Sequence, residues 1–208
     1  KNNIRKKPSS VVIGPGLGSR KGLYKIIEDS LKYFDCPIIL DADALNLISK
    51  DFNVLDKYKN QIIITPHPGE MSKITGKSVR EIQANRIKIS SDVSRKIKCI
   101  SVLKGFRTII SSNSGQIYIN GSGNEGMATG GMGDALTGII ASFIGQGYSE
   151  LESTILGVYV HGKAGDSIAD VTSKRGILAS EIIKKLPKTI KLIEENSSIY
   201  SDLERIEN

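Results

Sequence analysis

Glycines stand at positions 126, 130, 131 and 133, and the aspartate that follows, Asp134, leads into an apolar stretch from Ala135 to Ile144. Glycine strips side chains from a loop, so the backbone N–H groups of the segment 124–133 can approach a ligand closely. A helix starting there would aim its unsatisfied N–H groups and the positive end of its dipole at the same ligand, as anion sites do. A carboxylate on the rim of a phosphate site is repelled unless it has a chemical role. The role that fits is accepting a proton from a hydroxyl that attacks, or carries, a phosphoryl group. A plain Asp N-cap after a flexible linker is the competing reading. The density of glycines weighs against it.

Other polar residues fall at similar places. His67 stands between Pro66 and Pro68, whose rings fix φ and remove N–H groups, so the imidazole and Glu70 are held in set directions. Ligand contact fits His67 better than a core position, whereas Glu70 could equally be a first-turn acid helping a helix start. Lys104-Gly105 could place an ammonium near phosphates, or be a surface lysine before a turn. Asp41 and Asp43 could bind a metal or ligand, and one of them could cap the helix containing Leu45 and Leu47. Gly14-Pro-Gly-Leu-Gly18 approaches a dinucleotide fingerprint, but Ser19 stands where Gly or Ala is wanted, and a plain strand-to-helix turn serves as well. Gly157 to Lys163 nearly spells a phosphate-binding loop and fails at Ala164, where Ser or Thr should bind magnesium. His161 falls in a helical pattern and reads as packing. No Gly-x-Ser-x-Gly elbow accompanies the two histidines, which excludes a hydrolase triad of that kind.

Composition narrows the class. With 208 residues, 39% hydrophobic and 25% charged, the chain reads as one globular domain over 1–208. No apolar run approaches the roughly 18 residues of a membrane span. The first residues carry lysines with no apolar segment behind them, unlike a signal peptide. Two cysteines, Cys36 and Cys99, are too few for a disulfide scaffold or a zinc site, and a cytoplasmic location is expected. The net charge of +7 comes with only 5% aromatics, so a nucleic-acid groove is not expected, although the field suits small phosphorylated ligands.

Positioning these groups requires elements, and the pattern alternates β-branched runs with helical periods, the mark of an α/β layer fold. Strands are predicted at 11–13, 37–40, 61–65 and 99–103, parallel in one sheet, within a three-layer α/β/α domain. A hairpin is predicted around Asn113-Ser-Gly115. Helices are predicted from Leu23 to Leu31, over 135–146 and over 150–170. A long helix should open at the capping box Ser78-Val-Arg-Glu81, and a short one from Ser180 should end before Pro187. The glycine-rich and polar segments 14–18, 41–43, 66–70 and 104–105 follow strands, and 130–134 joins them. Ligands of open parallel sheets bind at that edge.

Six separated motifs, Ile13-Gly-Pro-Gly-Leu-Gly18, Leu40 to Asn46, Thr65-Pro-His-Pro-Gly-Glu70, Leu103-Lys-Gly105, Asn124 to Asp134 and Leu156 to Gly162, occur in this order. Together they resemble the ADP/ATP-dependent NAD(P)H-hydrate dehydratase family of the ribokinase-like superfamily, with the likeness running from Val11 to Pro187. The resemblance implies a ribokinase-like fold with a mostly parallel central sheet. It also implies repair of NADH or NADPH hydrate, phosphorylated on its hydroxyl by ADP or ATP with Mg2+ and then losing phosphate. Asp134 matches the catalytic base, and Gly131 to Gly133 match the anion hole for the transferring phosphoryl group. Lys104, Gly105, Phe106, Arg107 and Thr108, with Gly130, Gly131 and Gly133, match the nucleotide segments. Gly16, Gly18, His67 and Asp134 match the holder of the hydrated cofactor. Glu70 falls where related kinases organise magnesium through water. A homo-oligomer is expected, as is a possible epimerase domain upstream. The family's opening strand and helix have no counterpart before Val11, so the domain, with its core at 11–187, is expected to be N-terminally incomplete. A vitamin or sugar-type kinase of the same superfamily is the alternative, with His67 against it. A dinucleotide-binding oxidoreductase or sensor would leave Asp134 unexplained.

Overall fold

The computed structural model describes residues 7–18, 22–49, 51–56, 58–195 and 203–206. Four short strands, β1 (Val11–Ile13), β2 (Ile38–Leu40), β3 (Ile62–Ile64) and β4 (Ile100–Leu103), run parallel. The antiparallel strands β5 (Ile109–Ser111), β6 (Ile117–Asn120) and β7 (Leu203–Ile206) extend the same sheet, in sequence order from edge to edge. The predicted hairpin is β5–β6, closed by Gly115 at φ 96°.

Between the parallel strands lie α1 (Leu23–Tyr33), α2 (Asp43–Ile48), α3 (Asn53–Asp56), α4 (Pro68–Thr75), α5 (Val79–Ala84) and α6 (Arg86–Ile97). Three helices follow the hairpin: α7 (Met132–Gly145), α8 (Glu150–Ala169) and α9 (Ala179–Glu195). The two-residue period of the strands sorts the core into layers. Ile38, Leu40, Ile62 and Ile64 pack with α1, α2 and α4–α6, while Ile39, Ile63, Ile100 and Val102 pack against α7 and α8. Strands buried on both faces read as unbroken isoleucine runs. The result is a three-layer α/β/α arrangement. Among the described residues no helix is long and apolar enough to cross a membrane.

Two expectations need correcting. The long helix opened by Ser78 is two helices. Asn85 leaves helical geometry at φ −135°, ψ 38°, and its side-chain amide donates to the Glu81 carbonyl, the local competition that asparagine offers a helix. The helix begun at Ala179 does not end before Pro187 but continues to Glu195. Its apolar face, with Ile182, Leu186, Ile190 and Ile193, joins the clusters formed by α7 and α8. That burial outweighs the roughly 3 kcal/mol cost of an interior proline.

Glycine sets the closest approaches. A Cβ on Gly14, at φ 131°, would fall inside the carbonyl oxygen of Asp41, so the ends of β1 and β2 meet backbone to backbone. Gly157 sits against Ile140 where α8 crosses α7, and Gly162 against Ser122 and Gly123. Between these helices His161 is partly buried, bonded to the backbone of Met132, and its buried Nε2 has no partner among the described residues. Desolvation pushes its pKa down to about 4, only partly offset by the bond to Met132.

Two stability measurements follow from this packing. Gly14→Ala should cost at least about 2–3 kcal/mol in a urea melt, because overpacking adds to a disfavoured φ. Gly16→Ala, whose Cβ meets nothing within 4 Å, should cost less. Equal losses would contradict the contact with Asp41. For His161, the unfolded chain takes up a proton below about pH 6.5, whereas the folded chain does so only near 4. Its contribution is therefore intact above pH 6.5, is lost as pH falls through that window and levels off below about 4, with a total of roughly 3 kcal/mol. His161→Gln should flatten this part of the pH–stability curve, and an unchanged acid slope would contradict the buried neutral imidazole.

Candidate active site

Beyond the strand ends the ladder continues for one more residue. Asp41 N donates to Ile13 O at 3.1 Å, Thr65 N to Leu40 O at 3.2 Å and Lys104 N to Pro66 O at 2.9 Å. These bonds aim the segments 14–18, 41–43, 66–70 and 104–105 past one edge of the sheet.

At the centre is an ion pair. Lys104 Nζ donates to Asp41 Oδ1 at 2.7 Å, and both side chains are largely out of water. Glu70 Oε2 lies 3.8 Å from the same ammonium. Residue 42, between the two aspartates, adopts φ 48°, ψ −118°, a conformation that an alanine holds only when its surroundings enforce it. Asp41 presses its carbonyl on Gly14, and Asp43 Oδ2 accepts the Gly18 N–H at 2.7 Å. Neither aspartate caps α2 through its side chain. Each instead ties a neighbouring loop to the end of β2.

His67 and Glu70 share one local motif. The imidazole Nδ1 accepts the N–H groups of Gly69 at 3.0 Å and Glu70 at 3.3 Å, while Glu70 Oε2 accepts the His67 N–H at 2.8 Å. This is a capping box with histidine in the place of serine. An accepting Nδ1 puts the proton on Nε2, which lies 3.5 Å from Glu70 Oε1 on the half-exposed edge of the ring. Glu70 is thus the first-turn acid that the sequence allowed. Among the described residues no three His, Cys, Asp or Glu side chains converge as a metal set. Lys104 already occupies Asp41 and faces Glu70, which suits a metal arriving with its own phosphate ligands rather than one caged by protein.

The glycine-rich loop is anchored from behind. Asp166 of α8 accepts the Gly123 N–H and the Asn124 amide, both at 2.9 Å, and Asn124 Oδ1 accepts the Gly126 N–H at 3.0 Å. Gly130 has open space around it, and Gly131 at φ 82° begins α7 with no side-chain cap. The first-turn N–H groups of a 14-residue helix are therefore left for another acceptor. Asp134 stands exposed in that turn. A Cβ on Gly133 would lie 3.2 Å from Lys104 Nζ and 3.3 Å from Asp41 Oδ2. The helix start and the ion pair are therefore in contact.

Gly131, Gly133, Lys104, Glu70 and His67 accordingly gather on one edge with the turn that carries Asp134. Gly16 and Gly18, at φ 65° and 84°, are joined to this edge through Asp43. The segment 105–108 runs on from Lys104 along the surface. Phe106 is 86% exposed, Arg107 takes φ 52° with its guanidinium over the Phe106 ring, and Thr108 Oγ1 donates to Gly105 O. Phe106 and Arg107 face a concavity of about 710 Å³ shared with Arg86 and Arg95. A second one, of about 590 Å³, is lined by Tyr24, Tyr33 and Tyr58, and neither includes Lys104 or Asp134. Asp134 stands exposed on the rim instead. Sequence reasoning missed Arg86 and Asp166. Arg86 donates to the carbonyls of Leu103 and Lys104 across α6 and β4, and a lone arginine in an amphipathic helix gives no signal of that. Asp166 had one: the small residues Gly157, Gly162 and Gly165 mark a helix face that Ile140, Ser122 with Gly123, and Met127 approach closely.

Residues 1–188 match the family model described as NAD(P)H-hydrate dehydratase. The bifunctional NAD(P)H-hydrate repair enzyme Nnr of Moorella thermoacetica is 40% identical over 89% of this chain, but only 35% of that protein is covered. The ADP-dependent (S)-NAD(P)H-hydrate dehydratase of Neisseria meningitidis is 39% identical over 82% of this chain and 59% of its own. The chain thus spans little more than a third of the first of these curated relatives. The Bacillus subtilis ADP/ATP-dependent NAD(P)H-hydrate dehydratase, co-crystallized with ATP/Mg2+, superposes with a TM-score of 0.84 at 32% identity, over 91% of this chain and 68% of that one. A hydroxyethylthiazole kinase from Pyrococcus horikoshii, at TM-score 0.70 and 17% identity, shares the fold alone. A match over nine-tenths of the sequence, on a ribokinase-like scaffold, means that this chain belongs to the NAD(P)H-hydrate dehydratase family.

Proposed function

We propose that the protein dehydrates NADH or NADPH hydrate at the expense of ADP or ATP. The observation that carries this reading is the contact between the open first turn of α7, which bears Asp134, and the Asp41–Lys104 pair. An exposed carboxylate, uncapped N–H groups and a cation on one rim are what transfer of a phosphoryl group to a hydroxyl needs. The relatives named for this activity support it over a vitamin or sugar kinase.

In this reading the hydrate hydroxyl is held by Gly16, Gly18 and His67, with His67 Nε2–H as the donor. The nucleotide lies along 104–108 and 130–133, its terminal phosphate against the N–H groups from Gly131 to Gly133. Asp134 takes the hydroxyl proton as the oxygen bonds to phosphorus and the bridging P–O bond breaks. The C–O bond then breaks, phosphate leaves with the electron pair, and loss of a ring proton restores the dihydronicotinamide. Magnesium, when bound with the nucleotide, would offset phosphate charge, with Glu70 reaching it through water. A homo-oligomer, a cytoplasmic location and an epimerase domain elsewhere in a longer protein complete the proposal. The last is supported by the short coverage of relatives named bifunctional. Incubating the full-length protein with NADH hydrate and each nucleotide, while following the return of dihydronicotinamide absorbance, tests the activity directly.

Two substitutions divide the roles. Asp134→Asn keeps shape while deleting the base, and should lower turnover by about 10²–10⁴-fold. Nucleotide affinity should hold or rise, because a carboxylate near phosphate oxygens repels them. Near-normal turnover would reduce the loop to phosphate binding for some other chemistry. His67→Asn retains an N-cap acceptor for α4 but removes Nε2–H. Hydrate KM should rise roughly 3–10-fold, the range for one lost hydrogen bond, with nucleotide binding and melting temperature held. Calorimetry showing weaker nucleotide and unchanged hydrate binding would exchange the two subsites.

A further inference from the structure

We infer that Asp41 is a positioning residue that holds the Lys104 ammonium beneath the first turn of α7, where the transferring phosphoryl group is stabilised. Lysine carries its charge on four rotatable bonds, so a useful ammonium at a phosphate site must be held. Two carboxylates lie near this one. Glu70 Oε2 is 3.8 Å away and already accepts the His67 N–H at 2.8 Å, whereas Asp41 Oδ1 is hydrogen-bonded to Nζ at 2.7 Å. Asp41 therefore sets where the ammonium stands. Gly133 borders that place: a Cβ there would stand 3.2 Å from Nζ and 3.3 Å from Asp41 Oδ2, so even alanine would require the pair to shift by a few tenths of an ångström.

A second observation concerns how Asp41 is itself fixed. Its N–H continues the ladder to Ile13 O, its carbonyl packs on Gly14, and the next residue is held at φ 48°, ψ −118°. Backbone strain persists where the surroundings over-determine it, and such places cluster at functional sites. Here it turns the acidic side chains on either side of it to different loops. Asp41 goes to Lys104 and Asp43 to the Gly18 N–H.

The kinetic part of this inference rests on the dehydratase reading, and its structural part does not. In the full-length protein, NMR of the Lys104 side-chain Cε and Nζ should show an ordered ammonium that becomes mobile in Asp41→Asn, an isosteric change. An ammonium equally ordered in Asp41→Asn overturns the inference whatever reaction the protein performs. With NADH hydrate and nucleotide, Asp41→Asn should lower kcat by about 10²-fold, the scale of a misplaced catalytic group, with little change in nucleotide KM. Lys104→Ala should lower kcat similarly, and adding Asp41→Asn to it should cost little more, because one residue acts through the other. A further hundredfold loss in the double variant would mean that Asp41 acts on the substrate itself. A wild type inactive with both nucleotides would remove the dehydratase reading and leave the NMR comparison to decide the role of Asp41.

Discussion

A charge pair across the carboxyl ends of two strands that are not neighbours, Asp41 after β2 and Lys104 after β4, is the constraint on which the site depends. Taking both charges from water is expensive, and a buried pair is weak evidence of net stability. Breaking it is another matter, since Asp41 without Lys104 would be an uncompensated buried charge, whereas Lys104 without Asp41 would keep only the more distant Glu70. A pair of this kind makes the relative height of the strand ends and the packing of α7 against them mutually dependent. Gly14 lets β1 close against the carbonyl of Asp41, and Gly133 lets α7 close against the pair itself. Space at two glycines and charge at two side chains thus specify one geometry.

Most of the scaffold was legible because its strands are short, apolar on both faces and followed at once by polar or glycine-rich segments. Ile38 to Leu40 and Ile62 to Ile64 give no alternation, yet their length and their endings at Asp41 and Pro66 decide for strands. Where local chemistry competed with pattern, the reading slipped. Asn85 looked like a polar position on a continuous helix because nothing in a 3.6-residue period reveals a side chain that bonds its own backbone. Pro187 looked like a stop because the rule for proline is local, whereas the reward for continuing, the face of Ile190 and Ile193 against α7 and α8, is tertiary.

The site shows the same division between local and long-range information. Glycine-rich loops and the first-turn position of Asp134 are carried within a dozen residues, so their nature was open to reading. The partnership of Asp41 with Lys104 spans 63 positions and leaves no mark in either neighbourhood. His67 lies between these cases. Its proline flanks signalled a fixed imidazole, and the sequence suggested a ligand contact as the purpose. One ring nitrogen is spent on the backbone of α4, and the other lies 3.5 Å from Glu70 Oε1 in a half-exposed side chain.

α1, α2, α6 and α7 start without a side-chain cap, so an uncapped turn alone locates nothing, and what marks α7 is that its start meets the Asp41–Lys104 pair. α4, α5 and α8 close their first turns with capping boxes, from His67, Ser78 and Ser149. α7 begins on Gly131 without a side-chain cap, although a cap is worth about 1 kcal/mol and Ser or Asn would fit a helix start. A side chain at Gly131 would meet a positive φ and approach Ala179, and a capping oxygen would fill the position that the N–H groups offer to an external acceptor. Leaving that turn uncapped beside an ammonium sacrifices a little stability in the free protein. A helix start and a cation close to one another each favour an anion there. Asp134, one residue further, stands exposed in the same turn, where the proposed reading gives it the proton of the hydroxyl brought against it.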